Sequence, residues 1–427
     1  MYASKNMSIL LSHPTGNSFA RNALIALNKA NLIQEFVTTV ATFDNNVFGK
    51  IAKLPGCAEL ARRSYPPEIQ HLTRQAPLHE LTRILAPKIG LSKLTEHETG
   101  AFCIDKIYQH IDQLTAQRAR AIASKIQAVY CYEDGAIKTF RAAKELQLHR
   151  IYDLPIGYWR MALEIQQQEA ERLPEWQATM PALQDSVAKL ERKDAELQLA
   201  DSIIVASRFT ASTLQATPFQ VPEPFIVPYG CPQVQLDTPT ESDPSRPLRV
   251  LYVGGLSQRK GVADLLKAVA QIEGDVELTL VGKRIADCAP LDAALQRYKW
   301  IDSLPHEKIL STMRAHDVLV FPSLFEGFGL VLTEALSQGL PIISTNHTCA
   351  PDLITDGKEG FIVPIRDPDA IADRLTKLSE DRSLLQQMKC HALEAARAHT
   401  WSNYHDGIVA AVRLPEKQST ATNAATA

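Results

Sequence analysis

The sequence predicts an α/β protein of two domains, each a parallel sheet covered by helices. Three observations predict it. Short apolar runs alternate with longer amphipathic stretches along the chain, the pattern of strands joined by helical crossovers. At 427 residues the chain exceeds what a single core holds and fits two domains of ordinary size. Two apolar runs, ending near Val253 and Phe321, each break at glycines and lead into a helical pattern, the kind of corner where α/β sheets bind ligands.

In chain order, residues 9–12 read as the first strand, 13–18 as a loop and 19–30 as a helix with Asn17 or Ser18 as its N-cap. Gly16 then lies at a strand's carboxyl end, on the edge where open α/β sheets have their ligand crevice. Between Lys50 and Lys93 eight Lys or Arg meet three acidic residues, the one strong local charge asymmetry. That segment suits either a surface for anionic lipid, each cation contributing about 1 kcal/mol, or a solvated helical insertion. Residues 128–132, 150–154 and 202–206 read as further strands, and 161–199 as two or more helices broken by Pro174 and Pro181. Glu133, Asp134 and Asp153 follow two of these strands, positions for touching an acceptor hydroxyl or for capping a helix. Pro239, Pro244 and Pro247 among polar residues mark 233–247 as a linker. The expected organisation is a first domain over 1–235, a second over 247–385, a final helix over 386–414 that packs back on the first domain, and a disordered tail over 415–427.

The most informative stretch is FPSLFEGFGLVLTEALSQGLP, residues 321–341, which sets Glu326 and Glu334 eight positions apart around Phe328, itself flanked by Gly327 and Gly329. Val318–Phe321 reads as a buried strand, the glycines as a tight turn and 330–338 as a helix stopped by Gly339 and Pro341. Unpaired amides and the macrodipole make such a helix start attractive to anions. Eight residues of loop and helix reach roughly 12 Å, enough for two carboxylates to grip separate hydroxyl-rich ends of one ligand. The alternative is a plain strand-loop-helix with solvated glutamates. A second block, RVLYVGGLSQRKGVADLLKA at 249–268, places Arg259 and Lys260 on a loop entering a helix, where cations face phosphate.

These blocks resemble the family-4 retaining glycosyltransferases, enzymes of the GT-B fold, which implies two Rossmann-like domains with parallel sheets facing a central cleft. The resemblance covers residues 195–404 with little interruption and includes LTLVGK at 278–283, ITDGKEGFIVP at 354–364 and Trp401. It implies a donor site in which Glu326 lies beside the sugar, Glu334 bonds the ribose, and Phe328, Gly329 and Leu330 bring backbone amides to the donor. Lys260 stands where the family has its phosphate-binding lysine. Gly255 stands where the family has an arginine, and Arg259 is the nearest charge to replace it. The implied reaction is transfer of a sugar from a nucleotide diphosphate sugar to a glycan, lipid-linked or small-molecule acceptor with retention, with no cofactor and no metal. The Asp367-Pro368-Asp369 triplet matches the metal motif of another glycosyltransferase fold, but ahead of a helix Asp367 serves better as a cap.

Composition narrows the classes. A formal charge of −3 and no basic, aromatic-interleaved stripe argue against nucleic acid. Seven scattered cysteines, without CxxC spacing, fit a reducing cytoplasm, and no apolar stretch is long enough to span a bilayer or to form a recognisable export signal. The expected location is the cytoplasm, with peripheral contact to the inner membrane face through residues 50–93. Rivals are a sugar phosphorylase or inverting transferase on the same fold, and a scaffold subunit with a degenerate site, which Gly255 favours. Gly327, Gly329 and Leu332 do not complete a G-x-G-x-x-G, which disfavours an NAD enzyme.

Overall fold

A computed structural model describes residues 7–413 apart from 53–57, 240, 242 and 273. The expected tail, residues 415–427, and Cys57 lie outside the described residues.

The first sheet contains β1 (Ile9–Ser12), β2 (Ile33–Thr38), β3 (Thr73–Gln75), β4 (Ala128–Tyr132), β5 (His149–Leu154), β6 (Ser202–Val205) and β7 (Phe225–Ile226), in the order β3-β2-β1-β4-β5-β6-β7. Every pairing in it is parallel. β1 and β4 are buried along their whole length, which their unbroken apolar sequences require once helices cover both faces. β3 carries no apolar signal, so this polar edge strand inside the basic segment is invisible to periodicity. Its presence corrects the picture of residues 50–93 as a plain helical insertion.

The second sheet contains β8 (Leu248–Val253), β9 (Val276–Val281), β10 (Lys299–Ile301), β11 (Val318–Phe321), β12 (Ile342–Thr345) and β13 (Gly360–Val363), in the order β10-β9-β8-β11-β12-β13. It too is parallel throughout. Both sheets therefore reverse direction of growth beside their first strand, between β1 and β4 and between β8 and β11. Crevices open at the carboxyl ends of the strands flanking such reversals.

The C-terminal region is two helices, Arg382–Ala398 and Trp401–Val412, where the sequence suggested one. The break is a capping box: the Thr400 hydroxyl accepts from the Asn403 amide at 3.3 Å, and the Asn403 side chain accepts from the Thr400 amide at 3.2 Å. The last helix packs against the helix Ser18–Lys29 of the first domain, with His405 Nε2 3.0 Å from Asn22 Oδ1.

Asp317, at the start of β11, holds the linker and a C-terminal helix to the second sheet. Its carboxylate accepts from Arg246 at 2.6 Å, from the Arg249 amide at 3.0 Å and from Lys389 Nζ at 3.0 Å. Burial alone would push this carboxyl up, but the hydrogen bonds from Arg246 and Arg249 and the Lys389 charge hold it down to about 2. A depressed carboxylate stabilises the fold above its unfolded pKa and loses that contribution as pH falls towards its folded one. Asp317 should thus contribute about 2 kcal/mol at neutral pH, fading between about pH 4 and pH 2. Asp317→Ala removes the buried carboxylate on which Arg246 and Lys389 converge and should cost about 3 to 5 kcal/mol in thermal unfolding near pH 7, with a smaller difference from wild type near pH 3. An equal loss at both pH values would remove the ionised carboxylate from the account.

Candidate functional site

In the second domain β8 ends at Val253, passes Gly254 and Gly255, and enters the turn Gln258–Lys260 ahead of the helix Val262–Gln271. β11 ends at Phe321 and runs to Gly329, whose φ of +91° starts the helix Leu330–Ser337. A side chain rarely tolerates that backbone, so glycine is what lets the helix begin so soon after the loop. The two loops meet in the crevice. Lys260 Nζ is ion-paired with Glu326 Oε2, and Arg259 Nη1 lies 3.6 Å from the same oxygen while donating to the Phe325 carbonyl at 2.6 Å. The Lys260 ammonium also sits 4.7 Å from the centre of the Phe321 ring. Burial would push the Glu326 carboxyl up, but Lys260 and Arg259 outweigh it and hold the group below its ordinary range. Burial pulls Lys260 down, and Arg259 adds to this against the opposing pull of Glu326. The crevice thus contains two cations on one carboxylate, all three largely withdrawn from water.

Glu334 lies one turn further along the helix, its Oε1 3.0 Å from His306 Nε2. That hydrogen bond raises the His306 pKa above its ordinary value. His306 carries no sequence signal of its own; it begins the helix His306–Arg314, and only the fold brings it to Glu334. At Gly255 the carbonyl accepts from the Tyr252 hydroxyl at 2.9 Å, and an added Cβ would meet Ile285 Cδ1 at 2.9 Å, the movable end of a side chain. Backbone crowding therefore does not explain the glycine. Arg259 reaches Glu326 from the following turn.

The first domain closes on this loop. A Cβ on Gly327 would lie 1.9 Å from the Pro155 carbonyl oxygen, and the Gly327 carbonyl accepts from Ser207 Oγ at 2.6 Å and Thr210 Oγ1 at 2.7 Å. The Phe328 ring is buried 4.9 Å from Tyr229, which stacks on Phe19 at 5.3 Å. Between the domains Arg259 and Phe325 face Trp159, Gln166, Lys189 and Lys193 across a cavity of about 310 Å³. Gly16 stands where the first sheet reverses, its amide donating to His13 Nδ1 at 2.8 Å. Burial, aided by Arg63, keeps that imidazole neutral, its pKa lowered to about 3. Gly16 and Leu330, from different domains, line one cavity.

Other sequence-derived candidates resolve differently. Asn17 occupies the N-cap position but makes no capping bond; its Oδ1 accepts from the Thr15 hydroxyl at 3.2 Å. Glu133 pairs with Lys193 at 3.3 Å and Asp134 with Arg192 at 2.8 Å, so these side chains serve an ion-pair network and do not cap a helix. At the head of the helix Ile137–Glu145 the Ala136 and Ile137 amides donate to Glu196 and the Lys138 and Thr139 amides to Asp112. Asp153 accepts from the Tyr130 hydroxyl at 2.6 Å, and burial pushes its carboxyl up to about 7. Asp367 accepts from the Ala370 amide at 2.9 Å and Asp369 from Gln271 at 2.7 Å, so Asp367 does cap its helix.

Residues 237–395, which contain Lys260, Glu326 and Glu334, match the family described as glycosyl transferases group 1. Over these residues the chain is similar to the group 1 glycosyltransferases. The chain is 32% identical over 165 residues to a D-inositol 3-phosphate glycosyltransferase of Corynebacterium diphtheriae, covering 35% of this chain and 39% of that protein. It is 29% identical over 160 residues to a phosphatidyl-myo-inositol mannosyltransferase of Mycobacterium leprae, covering 36% and 43%. The match thus spans about two fifths of these relatives' length. Over the whole molecule the chain superposes on a sucrose-phosphate synthase from Thermosynechococcus elongatus with a TM-score of 0.65 at 18% identity, covering 95% of this chain and 98% of the other. Anabaena HepE in complex with UDP-glucose gives 0.60 at 17%, with the same coverage. The fold is GT-B, with the group 1 segment forming most of its second domain.

The close fit at Gly327 yields a test of how tightly the domains meet. Gly327→Ala must displace Pro155 and should cost about 1 to 3 kcal/mol of thermal stability as overpacking does. Small-angle scattering should show a more open molecule. An unchanged melting temperature and profile would mean that the domains already part freely here.

Proposed function

We propose that this chain transfers a sugar from a nucleoside diphosphate sugar to an acceptor, with retention at the anomeric carbon and without a metal. The observation that carries the reading is the pair Arg259 and Lys260 converging on Glu326 at the strand reversal of the group 1 segment. A diphosphate leaving group gains negative charge as the glycosidic bond breaks, and fixed, desolvated cations stabilise that charge more than water does. Lys260, with Arg259 in place of an arginine at Gly255, would hold the diphosphate beside the amides that begin the helix at Leu330. Glu326 would face the sugar, and Glu334, steadied by His306, would accept from the ribose hydroxyls. Relatives named for inositol phosphate and phosphatidylinositol acceptors, and a neighbour holding UDP-glucose, support this class of substrates.

A peripheral membrane site belongs to the same proposal. Among the described residues no helix is long and apolar enough to cross a membrane. Leu78, Leu85, Ile89 and Leu91 are nonetheless largely exposed beside the exposed Lys88 and Lys93, a pairing of apolar and cationic side chains that suits an anionic bilayer surface. Five buried free thiols support a reducing, cytoplasmic location. A non-catalytic binding subunit is the second reading, favoured by Gly255.

Kinetics at saturating donor separate the two. Lys260→Ala and Arg259→Ala should each raise the barrier by about 2 to 4 kcal/mol while weakening donor binding less. Full turnover in both folded variants would sink the diphosphate cradle. In binding titrations Glu334→Ala should weaken nucleotide-sugar affinity by about 1 to 3 kcal/mol. Activity is expected to survive a chelator; loss with rescue by Mn²⁺ would overturn the metal-free mechanism.

A further inference from the structure

The basic segment of residues 50–93 does more than present charge to the outside. Arg62, Arg63 and Arg83 from it, with Arg21 from the helix Ser18–Lys29, line a cavity of about 500 Å³. The cavity's other walls are the loop containing Gly16 and, across the cleft, Leu330 of the group 1 segment. Four guanidinium groups therefore gather where the two strand reversals meet.

Their anchoring is uneven. Glu80, fully buried, pairs with Arg63 and accepts from Arg83 Nε at 2.8 Å, and Arg83 also reaches Glu59 at 3.0 Å. Arg21 is held on the Arg62 carbonyl, and Arg62 itself is exposed. Glu59 is the only acidic residue among the described residues lining the cavity, so with Glu80 two carboxylates answer four cations. Arg63 is 4% exposed, donates weakly to the Thr15 carbonyl at 3.4 Å, and leaves its Nε without a partner. A buried guanidinium with an unused donor is costly unless something accepts from it. The head of the helix Ser18–Lys29, whose N-cap side chain makes no capping bond, adds unpaired amides on the same side.

We propose that this cavity binds a phosphate monoester or diester group on the acceptor, holding the acceptor's hydroxyl end towards the Lys260 and Glu326 crevice. Two surplus cations match the charge of a phosphate monoester, and forked guanidinium groups match its oxygens. The donor's own diphosphate already has Arg259 and Lys260 on the other domain. The proposal rests on the transferase reading above, but its test does not.

Inorganic phosphate, glycerol 3-phosphate and phosphatidylcholine vesicles with or without phosphatidic acid serve as probes, titrated against the full chain with UDP titrated separately. Arg21→Gln and Arg62→Gln spare the buried Arg63 and Glu80 pair, so both variants should fold. The double variant should bind glycerol 3-phosphate about tenfold or more weakly than wild type. UDP affinity should be unchanged. Lys88→Gln with Lys93→Gln, cations of the same segment outside the cavity, should leave glycerol 3-phosphate binding as in wild type. Binding to phosphatidic acid vesicles that falls with the arginine variants, with little response to the soluble phosphates, would place the phosphate on a lipid headgroup and still support the site. Three results overturn the proposal: no phosphate probe binds; all bind equally to wild type and the arginine variants; or the arginine variants weaken UDP as much as glycerol 3-phosphate, which would assign the cavity to the donor. Failure of UDP to bind wild type, with phosphate binding intact, would count against the transferase reading alone.

Discussion

The cleft depends on one buried carboxylate. Glu169, on the first domain's helix Trp159–Arg172, is fully buried and accepts from Gln258 Nε2 at 2.7 Å, from Arg366 Nε at 2.8 Å and from Arg172 Nε at 3.0 Å. Gln258 and Arg366 belong to the second domain, and Gln258 immediately precedes Arg259 and Lys260. Gln258 is itself buried, donates to Asp264 at 2.8 Å and accepts from the Ala263 amide at 2.7 Å. A charge taken out of water is tolerable only when its partners are in place, so the pair of domains and the turn bearing the cations are positioned by the same set of bonds.

This anchoring explains why the crevice can hold like charges close together. Arg259 and Lys260 share Glu326, while Arg63 and Arg83 share Glu80 on the opposite wall. Glu80 is buried and Glu326 largely withdrawn from water, so their fields are weakly screened and each can hold two guanidinium or ammonium groups in fixed positions. An anionic ligand entering between the walls would meet preorganised donors, without the cost of assembling them. Gly327 is pressed against Pro155, and beside it Phe328 packs tilted on Tyr229, which stacks on Phe19.

How legible this was depends on the range of each signal. The strands flanking the cleft, the helix starting at Leu330 and the cap at Asp367 are local: apolar runs, glycines and an Asp before a proline state them within a few residues. β3 was not legible, because a polar three-residue edge strand is set by its neighbour β2 and by nothing in its own composition. The roles of Glu133, Asp134 and Asp153 were not legible either. Their strand-end positions suggested caps or acceptor contacts, while Lys193, Arg192 and Tyr130, distant in sequence or on the neighbouring strand, decide what they bond.

By itself the sequence determined two parallel-sheet domains, the glycine corners after Val253 and Phe321, and the carboxylates and cations that sit on them. These follow from side-chain periodicity and from conformations that glycine permits, properties carried by adjacent residues. Only the tertiary structure decided that Arg259 shares Glu326 with Lys260, that His306 meets Glu334, and that arginines of the basic segment turn inwards beside Gly16 and Leu330. Those pairings join residues tens to hundreds of positions apart. They exist because a buried charge must find a partner wherever the packed domains bring one, a condition that no local pattern encodes.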